Sequence, residues 1–191
     1  NYEATHRVYP DLVELREALL PHLELKTVWD QMVHGSPDQE LHYGKVRSLA
    51  LPGFQCPSDP APAVIEVAGK QRGSTSYAAS YGTGLMTHGY NGFFTPYSYF
   101  PSLNAAITSS SVIRDGLSNT IAMSEILYGD FSRHRLRTWW NIPTTFPTQD
   151  ALASTCEHLP PDPTSVGYLG AFHDRGNPWY AGGPGQGGYN H

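Results

Sequence analysis

The 191 residues carry 12 basic and 17 acidic side chains, a formal net charge of −5 with neutral histidines. Nucleic-acid binding is disfavoured, because neutralising phosphates requires clustered lysine and arginine. The one basic cluster, at residues 133–137, is interpreted as a solvated strand edge. No apolar run approaches the roughly 18 residues that span a bilayer. The length fits a single domain over residues 1–191.

Helical signals are concentrated in the first quarter of the chain. A capping residue at Asp11 opens a run of leucines at helical spacing, which predicts a helix that ends or kinks at Pro21. A second helical stretch is predicted over residues 24–32. Ser36 followed by proline is a helix start signal, and it predicts a third helix to about Ser48.

The sequence changes character after residue 50, where short stretches of strand-forming residues alternate with turn-forming ones. Residues 1–50 are predicted to be mainly helical, 51–180 mainly strands and loops, and 181–191 a flexible Gly-rich tail. Because helices precede strands, the predicted fold class is α+β, with N-terminal helical segments packed on an antiparallel β-sheet with long loops. The predicted strands are Val64–Val67, Thr75–Ala79, Thr120–Leu127 and Leu136–Trp140.

Cys56 and Cys156 are the two cysteines of the chain. A disulfide between them would close a loop of about 100 residues and stabilise the fold by up to about 4–5 kcal/mol in the loop-entropy model. Two free thiols are the alternative, and the sequence leaves both open. The cysteine spacing fits no zinc site, because no nearby Cys or His completes a ligand pair.

Nine histidines are many for this length, but no histidine pair has the i, i+2 or i, i+4 spacing that supports a metal site. His173, Asp174 and His191 lie in or beside loop sequence and are the residues to test for metal binding. We favour single hydrogen-bonded histidines, and we expect no metal or other cofactor. Glu125 lies in an apolar stretch, where it is either a buried general acid or, as we favour, an outward-facing strand residue.

Aromatic residues are concentrated between residues 90 and 100. On a loop, such rings form a contact surface for a neighbouring protein or a sugar, or they pack the loop against the sheet. The sequence leaves both alternatives open. The residues of this aromatic run are Tyr90, Phe93, Phe94, Tyr97, Tyr99 and Phe100.

Three ordered segments carry a resemblance to a known family: FQCPSDP at residues 54–60, TSYAASYGTG at 75–84, and DGLSNTI at 115–121 followed by Glu125. Together they resemble a bacterial family of type IV pilin-like or pseudopilin-like proteins with an uncharacterised main domain. Residues 1–10 resemble the stretch that follows that family's N-terminal hydrophobic helix. The likeness extends over essentially the whole chain.

The resemblance implies a pilin-like head, in which a long N-terminal helix is followed by loops and an antiparallel sheet. Proteins of this kind carry a prepilin-type cleavage and methylation signal, and the hydrophobic helix holds them in the inner membrane. That helix is missing from this sequence, so we expect a processed or truncated product with membrane contact only through the missing helix. No catalytic residue is carried over from the family.

We therefore expect a non-enzymatic structural subunit of a cell-surface fibre or secretion apparatus, located in the periplasm or at the cell surface. Its expected partners are other pilin-like subunits or the secretion or pilus machinery. The residues themselves agree with a framework role, because Asp115-Gly116 is a turn dipeptide and Cys56–Pro60 is a rigid extended turn.

Two other functions fit the sequence less closely. A secreted metal- or carboxylate-dependent hydrolase on the same scaffold would use His173, Asp174 and His191, because long loops host grafted sites. A carbohydrate-binding module would bind surface glycans with the faces of its tyrosine and tryptophan rings.

Overall fold

The α+β class is confirmed by a computed structural model, in which short helices precede and flank small sheets. Among the residues that it describes, no helix has the length and apolar content of a membrane span. The described residues are 2–11, 14–33, 44–67, 69–82, 92–94, 109–130, 135–140, 147–159, 171–172, 175–176, 179 and 188–190.

The helical elements are short. Residues 44–47 form a further helical turn. The α-helices are α1 (Tyr2–His6), α2 (Leu15–Leu19), α3 (Lys26–Val33) and α4 (Gln149–Glu157). Turns of 3-10 helix cover Leu20–Leu23, Pro52–Phe54, Ser110–Val112, Leu117–Asn119 and Arg135–Arg137.

The predicted break at Pro21 is a change of helix type. α2 leads directly into the 3-10 turn Leu20–Leu23, in which Pro21 occupies the start, where its missing N–H is not needed. The turn ends at Glu24, whose backbone is left-handed with φ at 62°. α3 then follows, as predicted over 24–32, whereas the start signal at Ser36 lies outside the described residues.

The strands form three small sheets. In the three-stranded sheet, β3 lies between β4 and β7. β1 pairs with β2, and β5 pairs with β6. The strands are β1 (Val64–Val67), β2 (Lys70–Gly73), β3 (Tyr77–Gly82), β4 (Met123–Glu125), β5 (Trp139–Trp140), β6 (Ala171–Phe172) and β7 (Gly188–Asn190).

The sheet around β3 contains the predicted antiparallel pairing and, in addition, one parallel pair. β4 runs antiparallel to β3, but β7 runs parallel to it and places Tyr189 opposite Ser80. Within the segment 181–191 that was predicted as a tail, residues 188–190 form a strand. Their backbone groups pair with the edge of β3, and such pairing favours an extended strand even in Gly-rich sequence.

Two predicted strands are shorter than expected, and one helix was not predicted. Only Met123–Glu125 of the predicted strand Thr120–Leu127 is β-structure, and Arg135–Arg137 is a 3-10 turn that precedes β5. Helix α4 lies in a region interpreted as strands and loops. Its N-cap is Thr148, whose Oγ1 accepts a hydrogen bond from the Ala151 N–H at 3.2 Å.

Two apolar clusters of buried residues lie in the described part of the chain. In the first, Leu15 of α2 and Ala79 of β3 pack with Phe93 and Phe94. The second gathers side chains from the helical segments around Trp179, which is fully buried. Its buried members are Leu20, Met32, Val46, Leu51, Phe54 and Trp179.

Glu17 is a half-buried carboxylate on α2. Burial raises its pKa above the usual 4.5, and the negative charge of Glu14 raises it further, whereas Arg47 acts in the opposite direction. Ionised Glu17 is therefore less favourable in the folded chain than in the unfolded chain. Its contribution to stability is fully present below pH 4.5 and is lost as the pH rises through the folded pKa.

We expect the E17Q variant to gain stability over the wild type between about pH 4 and about pH 7, because glutamine does not ionise. The free energy of unfolding in urea, measured across this range, tests the expectation. E66Q removes the same charge from the exposed Glu66 and controls for net charge. If the difference in free energy of unfolding between E17Q and the wild type stays constant with pH, the raised pKa of Glu17 is contradicted.

We expect G73A to destabilise the fold by about 1–3 kcal/mol, the usual cost of overpacking. A Cβ on Gly73 would clash with the Leu49 carbonyl oxygen and lie 2.8 Å from Cδ1 of Trp179. Urea unfolding followed by tryptophan fluorescence measures the loss. G53A is the matched control, because a Cβ there meets nothing within 4 Å; an equal effect of both changes would refute the close approach.

Candidate functional site

The segment Gly73–Ser76, which connects β2 to β3, is the most deeply buried polar stretch among the described residues. Ser74, Thr75 and Ser76 are each 0% exposed. We call this segment the junction. Polar groups removed from water must find hydrogen-bond partners within the protein. The segments that pack against the junction must therefore supply hydrogen-bonding groups at fixed positions.

The backbone N–H groups of the junction donate to three separate parts of the chain. Ser74 donates to the Ala63 carbonyl at 2.9 Å and Thr75 to the Gly176 carbonyl at 2.9 Å. Ser76 donates to the carbonyl of Phe54 at 2.8 Å. Loops that are distant in sequence are thereby held together at one place.

Three more contacts complete the junction. Ser76 Oγ accepts from the Cys56 N–H at 2.9 Å, and the Ser76 carbonyl accepts from the Ile126 N–H at 2.7 Å. The Gly73 carbonyl accepts from the backbone N–H of Trp179 at 2.8 Å. The motif at residues 54–60 and the start of the motif at 75–84 are therefore bound directly to each other.

A buried ion pair joins the first motif to the segment before β5. The guanidinium of Arg137 donates to both carboxylate oxygens of Asp59, at 2.7 and 3.2 Å. The side chain of Asp59 is 1% exposed and that of Arg137 is 11% exposed. Arg137 is thus not the solvated cation that the basic cluster at 133–137 predicted.

Further contacts fix Arg137 in this position. It donates to the Tyr128 carbonyl at 2.8 Å, and its Nε lies 3.5 Å from a carboxylate oxygen of Asp130. The hydrogen bond to Asp59 raises the pKa of Arg137, so the guanidinium stays charged. Burial raises the pKa of Tyr128, and the charge of Asp59 raises it further. Tyr128 also donates its hydroxyl to the carbonyl of Ala61.

The third motif forms a turn of the predicted kind. Gly116 has φ at 79°, a conformation that favours glycine. The Asn119 side chain donates to the Asp115 carbonyl at 2.8 Å, and the Thr120 hydroxyl donates to the Gly116 carbonyl at 3.1 Å. All these polar groups bind neighbouring backbone, so they shape the loop.

The predicted metal candidates His173, Asp174 and His191 lie outside the described residues. Within the described part of the chain, no three His, Cys, Asp or Glu side chains cluster closely enough to hold a metal ion. Glu125 is exposed on β4, in agreement with the interpretation that we favoured. Its partner is Tyr77, whose pKa is raised by burial and then by the nearby charge of Glu125.

The two cysteines carry free thiols in the structure, which is one of the two arrangements that the sequence left open. Cys56 is half-buried beside the junction, whereas Cys156 is exposed on α4. Although the residue is exposed, partial desolvation by its neighbours raises the pKa of the Cys156 thiol, so the reactive thiolate is disfavoured there.

The aromatic run is placed only in part. Phe93 and Phe94 are buried in the first apolar cluster, with ring centroids 4.8 Å apart. For these two residues the structure agrees with the packing alternative. Tyr90, Tyr97, Tyr99 and Phe100 lie outside the described residues.

Exposed apolar side chains occur in another segment, which the sequence analysis did not single out. Val112, Leu117 and Ile121 are 61%, 51% and 57% exposed. A hydrogen bond of 3.1 Å from Ser110 to Glu3 ties this segment to α1. Hydrophobicity alone gave no signal, because apolar side chains occur both in the interior and on the surface of folded proteins.

These features define the class of protein as an α+β domain whose sequence motifs bind one another and form a framework. The chain belongs to the family described as "protein of unknown function (DUF1559)", whose model matches residues 1–187. Neither the curated proteins nor the solved structures include a significant match to the chain.

We expect D59N to destabilise the fold by about 3–5 kcal/mol, because it removes the negative charge of the buried Asp59–Arg137 pair and leaves the guanidinium only the more distant carboxylate of Asp130. The matched control is D30N, which breaks the exposed Lys26–Asp30 pair of the same 2.7 Å length. That control is expected to cost about 0.5 kcal/mol or less. Urea unfolding followed by circular dichroism gives the free energy of unfolding of both variants. Equal losses would contradict the conclusion that Asp59 stabilises the fold more than the exposed Asp30 does.

Proposed function

We propose that the chain is the head of a pilin-like or pseudopilin-like subunit, a non-enzymatic structural component of a cell-surface fibre or secretion apparatus. The observation that carries this proposal is that side chains of the three motifs bind other parts of the same chain. Asp59, Ser76 and Asn119 each make contacts that join or shape segments of the chain itself. Such contacts specify a scaffold.

The order of elements supports the same role. α1 stands at the start of the described chain, α2 and α3 follow, and the β3 sheet packs against α2 through the first apolar cluster. This is the helix-then-sheet arrangement that the resemblance to pilin-like proteins implies. Membership of the DUF1559 family is compatible with the role and leaves it open.

The proposal places the chain outside the cytoplasm, with other pilin-like subunits or secretion or pilus machinery as partners. The exposed side chains of Val112, Leu117 and Ile121 provide apolar surface of the kind that subunit contacts use. Their link to α1 through Glu3 places part of this surface beside the N-terminal helix.

Fractionation of cells that produce the chain tests the proposal. Antibodies against the purified domain should detect it in membrane and sheared-surface fractions, and chemical cross-linking there should join it to other pilin-like subunits. A cytoplasmic enzyme serves as the fractionation control. Recovery of the chain as a cytoplasmic monomer would contradict the proposal, as would turnover of a small substrate that one substitution abolishes without unfolding the protein.

A further inference from the structure

The turn of the third motif contains the one Asp-Gly step of the sequence, Asp115-Gly116. Both residues are exposed to solvent. With the described part of the chain, the Asp115 carboxylate makes no hydrogen bond and no ion pair. The carboxylate of Asp59, by contrast, is bound by Arg137. Asp115 therefore places a free carboxyl group directly before a glycine.

The backbone nitrogen of Gly116 is open to reaction with that carboxyl group. Glycine has no side chain to shield its amide, and a Cβ built on Gly116 would meet nothing within 4 Å. The Gly116 N–H donates to the Ile113 carbonyl at 3.3 Å, which is longer than the usual distance of about 3.0 Å. A long hydrogen bond holds the amide proton weakly, so the nitrogen is available as a nucleophile when that proton is lost.

We propose that Asp115 is a site of spontaneous isomerisation to isoaspartate in the folded chain. The Gly116 nitrogen forms a bond to Cγ of Asp115, and a Cγ–O bond breaks. The leaving oxygen departs as water with the amide proton and the carboxyl proton, which leaves a five-membered succinimide ring. Water then adds to the ring carbonyl that came from the main chain and opens the ring to isoaspartate. The water that was lost is regained, so the step needs no oxidant, reductant or enzyme.

Isoaspartate changes the turn that the third motif forms. The main chain then runs through Cβ and Cγ of residue 115, and the former main-chain carbonyl becomes part of a free carboxylate. At present the Asn119 side chain donates to that carbonyl at 2.8 Å, and the Asn119 N–H donates to the Gly116 carbonyl at 3.0 Å. Both bonds depend on the spacing that the extra backbone carbon alters. Leu117 and Ile121, whose side chains are exposed, lie in the same segment, so their arrangement changes with the turn.

The modification accumulates with the age of the chain, because ring closure at an aspartate is slow. A structural subunit that persists at the cell surface would therefore carry an apolar surface that changes with time. That consequence rests on the proposed function. The isomerisation itself depends only on the turn and on water, and it is tested without reference to assembly.

Incubation of the purified, folded chain for several weeks at neutral pH and physiological temperature tests the isomerisation. Isoaspartyl methyltransferase with radioactive S-adenosylmethionine measures isoaspartate, and electron-transfer dissociation of tryptic peptides locates it. Asp150 is the internal control, because it is also exposed but precedes Ala151, whose N–H donates to Thr148. We expect isoaspartate at residue 115 to exceed that at residue 150 many-fold. Equal amounts at the two positions, or none at residue 115, overturn the proposal.

Two variants test the ring closure itself. D115E keeps the negative charge and the main-chain carbonyl, but its longer side chain would have to close a six-membered ring, which forms much more slowly. D115E should therefore stay unmodified at residue 115 under the same conditions. D115N closes the same succinimide with loss of ammonia and should form isoaspartate faster than the wild type. If aged, folded D115N contains no isoaspartate, the turn forbids ring closure and the proposal is overturned.

Hydrogen–deuterium exchange at residues 116–121 tests the effect on the turn. We expect these amides to exchange several-fold faster in the aged wild type than in the fresh protein, with no such change in aged D115E. Repair of isoaspartate by the methyltransferase and S-adenosylmethionine should restore slow exchange. Unchanged exchange in a chain that carries isoaspartate overturns the inferred change of the turn. A failure of the assembly role would appear in cell fractionation and leave these results unchanged.

Discussion

The burial of the polar junction Gly73–Ser76 is the constraint on which the rest of the structure depends. Its backbone donors are satisfied by carbonyls of Ala63, Gly176 and Phe54, and a buried donor without a partner costs about 1–3 kcal/mol. The loops that supply these carbonyls therefore have to be in place together. The close approach of Leu49 and Trp179 to Gly73 adds a steric condition at the same point.

The buried pair of Asp59 and Arg137 extends this logic to the longer loops. Desolvation makes the net gain from such a pair small, but the loss of either partner is costly. Its main effect is therefore to make one loop arrangement much more favourable than the alternatives. Charged and hydroxyl groups that are engaged in this way hold the loops in one arrangement.

The parts of the fold that are determined locally could be predicted from the sequence. The turn at Asp115-Gly116, the strand at Val64–Val67 and the change at Pro21 depend on neighbouring residues, and all three are present. β7 depends on an edge of β3 that local sequence does not describe, so glycine content alone suggested a tail. Helix α4 had a visible cap at Thr148 but only a weak apolar face.

The candidate site was predictable to a smaller extent for the same reason. Asp59 stood out as part of a rigid turn, but nothing near it in the sequence identifies Arg137, which is 78 residues away. The charged neighbours of Arg137 suggested solvent exposure, and only the tertiary fold reveals its burial. Phe93 and Phe94 are the opposite case. They lie in an aromatic run that could have formed an exposed surface, but the tertiary fold buries them against Leu15 and Ala79.

The pairing of the last strand with β3 has a consequence for the order of folding. β3 leaves the ribosome long before Gly188–Asn190, so the edge of β3 stays open until β7 has been synthesised. Contacts between residues far apart in the chain form slowly, because loop closure has an entropic cost. A nascent chain of this protein is therefore vulnerable to aggregation through that edge, and a chaperone that covers it would protect the chain until β7 emerges.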